Sequence, residues 1–436
     1  MSDRLTDEEH PDGFPVLTVL ALMAGIFAVG SEELVVSPLL VNMAESFDAS
    51  VALMALSVSV YGIGTAVGAL LFAPLGDRVS RRVSLVTGMV MFILGTVLCA
   101  FAAGPGVFFA GRALAGLATG AFVPSAYAFV GDQIPYRHRA RAMGILVSSW
   151  SISLVLGVPM GSFIGEWAGW RWTFGVLSVL GALVVFVLLL VRGGKPAGAG
   201  GGTPPAEVTE KTPDSSEQAR RGWARSTVQA FRAPKVSVYV LATFLNMFAF
   251  YGMYTFLGSA LQYRFGSGSS MTGFMILLYG LGFATSFVTG RWADELGKER
   301  VLLALLAGLV PALVAIPLVT GWTVPLVVCL FLWGGMQSLV VTLLSTLLSE
   351  CSPRHRGTIL AFYSLATNLG VALGAALLGP LFTSYGFSAV GWVCAGVTLV
   401  AAGLSGWVYR RGDGRPASGD GVPGGTRGAK VPAHED

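Results

Sequence analysis

The sequence predicts an all-α polytopic membrane protein made of two pseudo-symmetric six-helix bundles, and three observations lead there. Apolar residues make up 54% of the 436 residues and charged residues only 12%, against about 25% charged in an ordinary soluble domain; mean hydropathy is +0.70. Long apolar stretches recur twelve times, with a polar interruption in the middle. Each half also carries a related acidic-basic loop, A-P-L-G-D-R-V-S-R-R at 73–82 and G-R-W-A-D-E-L-G-K at 290–298. The recurrence points to a duplicated membrane scaffold and away from an enzyme with a membrane anchor.

Residues 1–13 are acidic and lack a positively charged leader with a small-residue cleavage site, so they read as a cytoplasmic tail before a retained first span. A helix needs about 20 apolar residues to cross a bilayer. Segments 14–37, 51–72, 84–104, 107–130, 142–165 and 173–191 meet that length and form the N-terminal bundle, 14–191. Residues 192–236 hold a glycine run, prolines and mixed charges, the composition of a flexible cytoplasmic linker. Segments 237–260, 271–289, 300–319, 323–347, 358–382 and 389–409 form the C-terminal bundle, 237–409, and 410–436 is a cytoplasmic tail.

Charge placement sets the expected topology. With both termini in the cytoplasm, the inner loops collect Arg78, Arg81, Arg82, Arg137, Arg139, Arg141, Arg291, Lys298, Arg300, Arg354 and Arg356, while the other side receives little beyond Arg171 and Arg264. That is the asymmetry of positive-inside insertion. The excess basic charge is thereby explained without a nucleic-acid surface, which these short loops do not supply. Trp170 and Trp172, near an outer boundary, read as interface anchors.

Several classes of chemistry have no candidate. Cys99, Cys329, Cys351 and Cys394 lack the close pairs of common zinc sites, and His10, His138, His355 and His434 fall in tails or loops. No metal site is expected. There is no Walker-type phosphate loop, and no complete protease, nuclease or flavin constellation.

Charged residues inside the spans are a different matter, because a charge at membrane depth is costly unless it is paired, protonated or facing a polar cavity. Glu32 and Glu33 lie in the first span and Arg112 in the fourth. Neighbouring helical residues point about 100° apart, so the two glutamates occupy different environments. Burial disfavours an ionised carboxylate and a nearby cation favours it, so alternating access to such a group can link protonation to ligand occupancy. Arg112 opens R-A-L-A-G-L-A-T-G, which places Gly116 and Gly120 on following turns for close helix packing. In the fifth span, Gly157, Gly161 and Gly165 recur every four residues, and Pro159 interrupts the hydrogen-bond ladder. The seventh span mixes polar and aromatic side chains at Asn246, Phe248, Phe250, Tyr251, Tyr254, Thr255 and Phe256, a surface suited to an amphipathic or cationic molecule or to a sugar. Trp150, flanked by serines, and Asn368 add two further cavity candidates.

Over residues 14–409, Asp77-Arg78 followed by Arg81-Arg82, the repeat at Gly290, Asp294, Gly297 and Lys298, and N-L-G-V-A-L-G at 368–374 resemble the major facilitator superfamily, particularly its twelve-helix bacterial drug and sugar proton antiporters. Ala73 and Ser80 stand where that family often has glycine, and Ala115 where it is often polar. The resemblance implies that Asp77, Arg78, Asp132 and Asp294 act in gating, with Gly157, Pro159 and Gly161 as a fifth-helix hinge. It implies proton coupling or cavity charge at Glu33, Glu32 and Arg112, Glu33 matching the family's acidic position better than Glu32. Asn246, Tyr251, Tyr254, Phe256, Asn368 and Trp150 would line the substrate cavity, with at least one of the two tyrosines facing it.

The activity so implied is proton-coupled antiport by alternating access, exporting a small organic compound, an amphipathic drug or antibiotic before a sugar or other metabolite. A membrane sensor that binds without sustained flux is the alternative of a different kind. The implied partners are a small organic substrate, protons and membrane lipids, with no nucleic acid and the chain a monomer. No cofactor is implied; the proton gradient is the energy source. The implied location is the bacterial plasma membrane.

Overall fold

The computed structural model describes residues 14–76, 79–190, 234–266, 268–285, 295–352 and 355–412, excluding the side chains of 73–76, 234 and 412. The first half comprises α1 (Val16–Leu34), α2 (Val36–Ser46), α3 (Val51–Gly76), α4 (Arg81–Ala100), α5 (Pro105–Gln133), α6 (Tyr136–Ile152), α7 (Val158–Trp167) and α8 (Trp170–Leu190). The second comprises α9 (Pro234–Phe265), α10 (Ser269–Ala284), α11 (Lys298–Val319), α12 (Thr323–Cys351) and α13 (Arg356–Gly412). Among the described residues ten helical stretches are long and apolar enough to cross a membrane. Helices of this hydropathy keep every interior backbone bond within the segment, which a lipid environment demands. Leu183, Phe186, Leu189 and Leu190 on α8, and Val324, Val328 and Leu332 on α12, present apolar side chains outward, as lipid-facing positions do.

Two features depart from the expected spans. The first span continues past residue 37, because Val35 keeps helical angles (φ −69°, ψ −15°) and α2 runs on to Ser46. Pro38 falls in the first turn of α2, where a missing N–H costs nothing, and Ser37 beside it bonds to the Tyr254 carbonyl of α9. The basic run Arg137, Arg139 and Arg141 is helical from Tyr136 onward, where a loop is expected. The expected boundary between the last two spans is present at Gly386, whose φ of 76° breaks α13 into two helices; that backbone conformation favours glycine.

Ser153–Gly157, between α6 and α7, forms a π turn. It brings the small-residue stripe of the fifth span against the first. A Cβ at Gly161 would come within 2.6 Å of Val35 Cγ2, and one at Gly165 within 2.3 Å of Leu39 Cδ2. The same device joins α5 to α3, where Cβ atoms at Gly116 and Gly120 would lie 2.2 Å from the Tyr61 carbonyl and 2.3 Å from the Thr65 carbonyl.

The core of the first half gathers Leu22, Ile26, Phe92, Phe122 and Val130. The core of the second half runs without a break into Val35, Leu39 and Leu40 of the first span and into Met54 and Val58 of α3. The two halves are therefore fused at the end that carries the 46–51 and 265–269 connections. Trp170 belongs to this packing and is not an interface anchor: it is 4% exposed and sits edge-on to Phe47, Phe108 and Phe174. Arg171 spans its ring at 4.3 Å and donates to Ser46 Oγ. Trp172 does face outward.

Candidate functional site

Glu32 and Arg112 form a fully buried ion pair, which the sequence leaves unassigned. Arg112 Nη1 donates both to the Glu32 carboxylate and, at 3.0 Å, to its backbone carbonyl. Arg112 Nε points to the Ser57 carbonyl at 3.5 Å, and the guanidinium lies 4.2 Å from the centre of the Tyr61 ring. Tyr61 in turn shares a 2.6 Å hydrogen bond with Thr119, the residue just before Gly120 ends the Arg112 motif. The glycine contacts between α5 and α3 are what let Tyr61 reach the cation. The charge is thus compensated by one carboxylate, two carbonyls and an aromatic face, all within the first half.

Glu33, one residue on, faces the other half. Its carboxylate accepts a hydrogen bond from the Tyr251 hydroxyl of α9. Tyr254, three residues later on α9, donates to the Leu34 carbonyl at 3.1 Å. Successive glutamates therefore divide their attachments: Glu32 binds inside its own bundle, Glu33 across the boundary. Four further side-chain bonds to carbonyls cross the boundary. Ser37 donates to the Tyr254 carbonyl at 2.5 Å, Ser59 to the Ala372 carbonyl at 2.6 Å, Gln262 to the Pro38 carbonyl, and Ser269 to the Ser162 carbonyl at 2.9 Å. Glu166, at the end of α7, accepts the Ser270 amide at 2.6 Å and so caps α10 from the opposite half.

The remaining expected residues fall in different places. Asn246 and the Gln337 amide of α12 bond reciprocally, at 3.3 and 2.9 Å, inside the second half. Phe256 stacks on Phe382 with centroids 4.9 Å apart, away from Glu33. Asn368 donates to the Ser364 carbonyl of its own helix at 2.9 Å. Trp150 Nε1 reaches the Tyr127 hydroxyl at 3.3 Å and joins α6 to α5. Gly157 lets Ser31 pass, since a Cβ there would lie 1.9 Å from Ser31 Oγ, and Pro159 sits in the first turn of α7. Asp132 pairs with Arg81 at 2.8 Å, tying the end of α5 to the start of α4. Asp77, Arg78 and Asp294 lie outside the described residues.

The sequence reading misses Tyr61, Gln337, Tyr279 and Trp333. Phe250, Tyr251, Tyr254, Tyr279 and Trp333 form one aromatic cluster, with Tyr279 and Trp333 centroids 4.7 Å apart. Two signals could have found its hidden members. Gln337 is an amide deep in an apolar span, and Tyr279 and Trp333 lie mid-span, away from the interfacial belts where such rings usually collect.

A cavity of about 860 Å³ lies at the fused end, between α2, α3, α9 and α13, bordered by Glu45, Asp48, Tyr263, Arg264 and Phe382. It is formed by helix ends and does not include Glu33.

An apolar helix bundle with an interior ion pair, and with side-chain bonds crossing a boundary between two halves, is the build of a multi-pass membrane carrier. The Major Facilitator Superfamily profile matches residues 22–285 and 239–433, and the chain belongs to that superfamily of transporters. It is 47% identical over 412 residues to the uncharacterized MFS-type transporter YwfA of Bacillus subtilis (strain 168), covering 94% of this chain and 96% of that protein. It is 27% identical to the chloramphenicol resistance protein of Streptomyces lividans, covering 84% and 92%. The crystal structure of a D-xylose–proton symporter shares the fold with TM-score 0.72 at 16% identity, over 90% of this chain and 97% of that one.

Proposed function

We propose that the protein is a proton-coupled antiporter of the plasma membrane that exports a small amphipathic organic compound by alternating access. The observation that carries this reading is the division of labour between Glu32 and Glu33. The first is locked to Arg112 within one half, while the second sits at the boundary and bonds to Tyr251 of the other. A carboxyl group at that boundary can exchange a proton for a substrate as the halves rock, because the rocking changes both its partner and its access to water.

Arg81, Arg82, Arg137, Arg139 and Arg141 gather at the end of the first half that carries the chain terminus, and Lys298, Arg300 and Arg356 at the corresponding end of the second. By the positive-inside rule that end is cytoplasmic. The fused end, with its bonds from Ser37, Gln262, Ser269 and Glu166, then faces outward, and this conformation is closed to the outside. The likeness to a chloramphenicol resistance protein supports drug-like cargo.

The test is flux into liposomes under an imposed proton gradient, with a panel of radiolabelled amphiphiles and sugars, comparing wild type with Glu33→Gln. Gradient-driven amphiphile movement that disappears in the variant is the expected result. Sugar movement alone would select a metabolite carrier, and binding without flux across the panel would select a sensor.

A further inference from the structure

The aromatic cluster of the second half holds buried donors with nothing to bond. Tyr279 Oη and Trp333 Nε1 have no hydrogen-bond partner among the described residues, and both side chains are completely buried. Buried polar groups are nearly always satisfied, so two adjacent exceptions require an explanation. Packing defects do not supply one. Gly334 brings α12 onto α10 at the Tyr279 carbonyl, where a Cβ would lie at 2.1 Å, and Gly280 brings α10 onto Leu154 of the first half. Both rings are held firmly in place with their polar atoms idle.

The other side of the cluster is movable. Tyr251 and Tyr254 are its two members bonded to the first half, through the Glu33 carboxylate and the Leu34 carbonyl. Separation of the halves breaks both bonds, frees Glu33 and opens the face of Phe250, which lies 5.8 Å from Trp333 and 6.0 Å from Tyr279. What is then exposed is a carboxylate, several ring faces, and two donors lacking an acceptor.

We propose that Glu33 and the rings of Phe250, Tyr251, Tyr254, Tyr279 and Trp333 bind an organic monocation whose apolar body carries a hydrogen-bond-accepting oxygen. The cation takes the place of the Tyr251 hydroxyl at Glu33, the body lies among the rings, and the oxygen accepts from Tyr279 or Trp333. Ring faces attract cations, and quaternary ammonium groups are commonly held by clustered aromatic side chains. This deepens the reading of the chain as an exporter of small organic compounds and rests on it for the opening of the cluster.

The test is calorimetric titration of the purified full-length protein with a matched pair, phenethyltrimethylammonium and its 4-methoxy derivative. The methoxy compound is expected to bind about fivefold more tightly, the worth of one ordinary hydrogen bond. Tyr279→Phe keeps its ring and Trp333→Phe keeps an aromatic face without the N–H; together they are expected to remove that preference while the parent cation still binds. Glu33→Gln is expected to weaken both ligands about tenfold or more. Equal affinity for the two compounds in wild type, a preference that survives in the double variant, or no binding of either cation would overturn the proposal. Gradient-driven flux of another solute without cation binding would leave export standing and this site refuted. The expected binding pattern without flux would do the reverse.

Discussion

The carboxylate of Glu32 and the guanidinium of Arg112 meet with neither side chain exposed to solvent, and each retains one atom, Oε2 and Nη2, without a partner. Removing one member of such a pair strands a buried charge and costs about 3–5 kcal/mol, whereas replacing both by apolar groups is often close to neutral. Glu32→Leu is therefore expected to lower the thermal unfolding temperature strongly in detergent, and Glu32→Leu combined with Arg112→Met to recover most of it. A double variant as unstable as the single one would show that the pair is not what joins α1 to α5.

Tyr251 and Glu33 link the halves through one hydrogen bond. Tyr251→Phe removes it while keeping the ring, at about 1 kcal/mol, or roughly a fivefold shift toward the separated arrangement. Spin labels at positions 45 and 263, which border the cavity at the fused end, should report a larger population at long distance in the variant. An unchanged distance distribution would mean the bond does not bias the conformational balance.

Gly116 and Gly120 face backbone atoms of α3, so a methyl group at either can be accommodated only by moving the helices apart. Gly116→Ala and Gly120→Ala are each expected to destabilise by about 1–3 kcal/mol, the cost of overpacking. Gly131→Ala and Gly403→Ala meet nothing within 4 Å and are expected to be neutral or slightly stabilising. Thermal unfolding of the four variants side by side checks the contrast.

Asn246 and Gln337 satisfy each other between α9 and α12. Asn246→Leu leaves the Gln337 amide buried without its partner, at about 1–3 kcal/mol. Asn246→Leu with Gln337→Leu is expected to be less destabilised than that single change. If transport also survives in the double variant, the pair braces the bundle and does not touch cargo.

The helical, membrane-spanning character of the chain is legible in sequence because apolar runs of bilayer length leave the backbone few alternatives. Spacing also exposes the glycine stripe at Gly157, Gly161 and Gly165, whose members meet Ser31, Val35 and Leu39 of the first span. What spacing cannot convey is which of two adjacent carboxylates meets a cation eighty positions away. Glu32 and Glu33 carry the same side chain, and only the rotation of α1 against α5 and α9 separates their partners. The aromatic cluster was half visible for the same reason. Phe250, Tyr251 and Tyr254 sit together in one segment, whereas Tyr279 and Trp333 join them only through the packing of α10 and α12. Asn368 shows the converse, since a polar group that reads as a ligand contact is satisfied by its own helix.

The π turn at Ser153–Gly157 has a consequence for chain length. Such a turn holds one residue more than an α turn, and the widened turn absorbs the surplus, so α7 keeps nearly the phase of an uninterrupted helix. Deleting one residue there would restore the regular helical repeat with Gly161 and Gly165 still facing Val35 and Leu39, and Glu166 still at the start of α10. In this stretch the fifth span can lose a residue without losing its seat on the first.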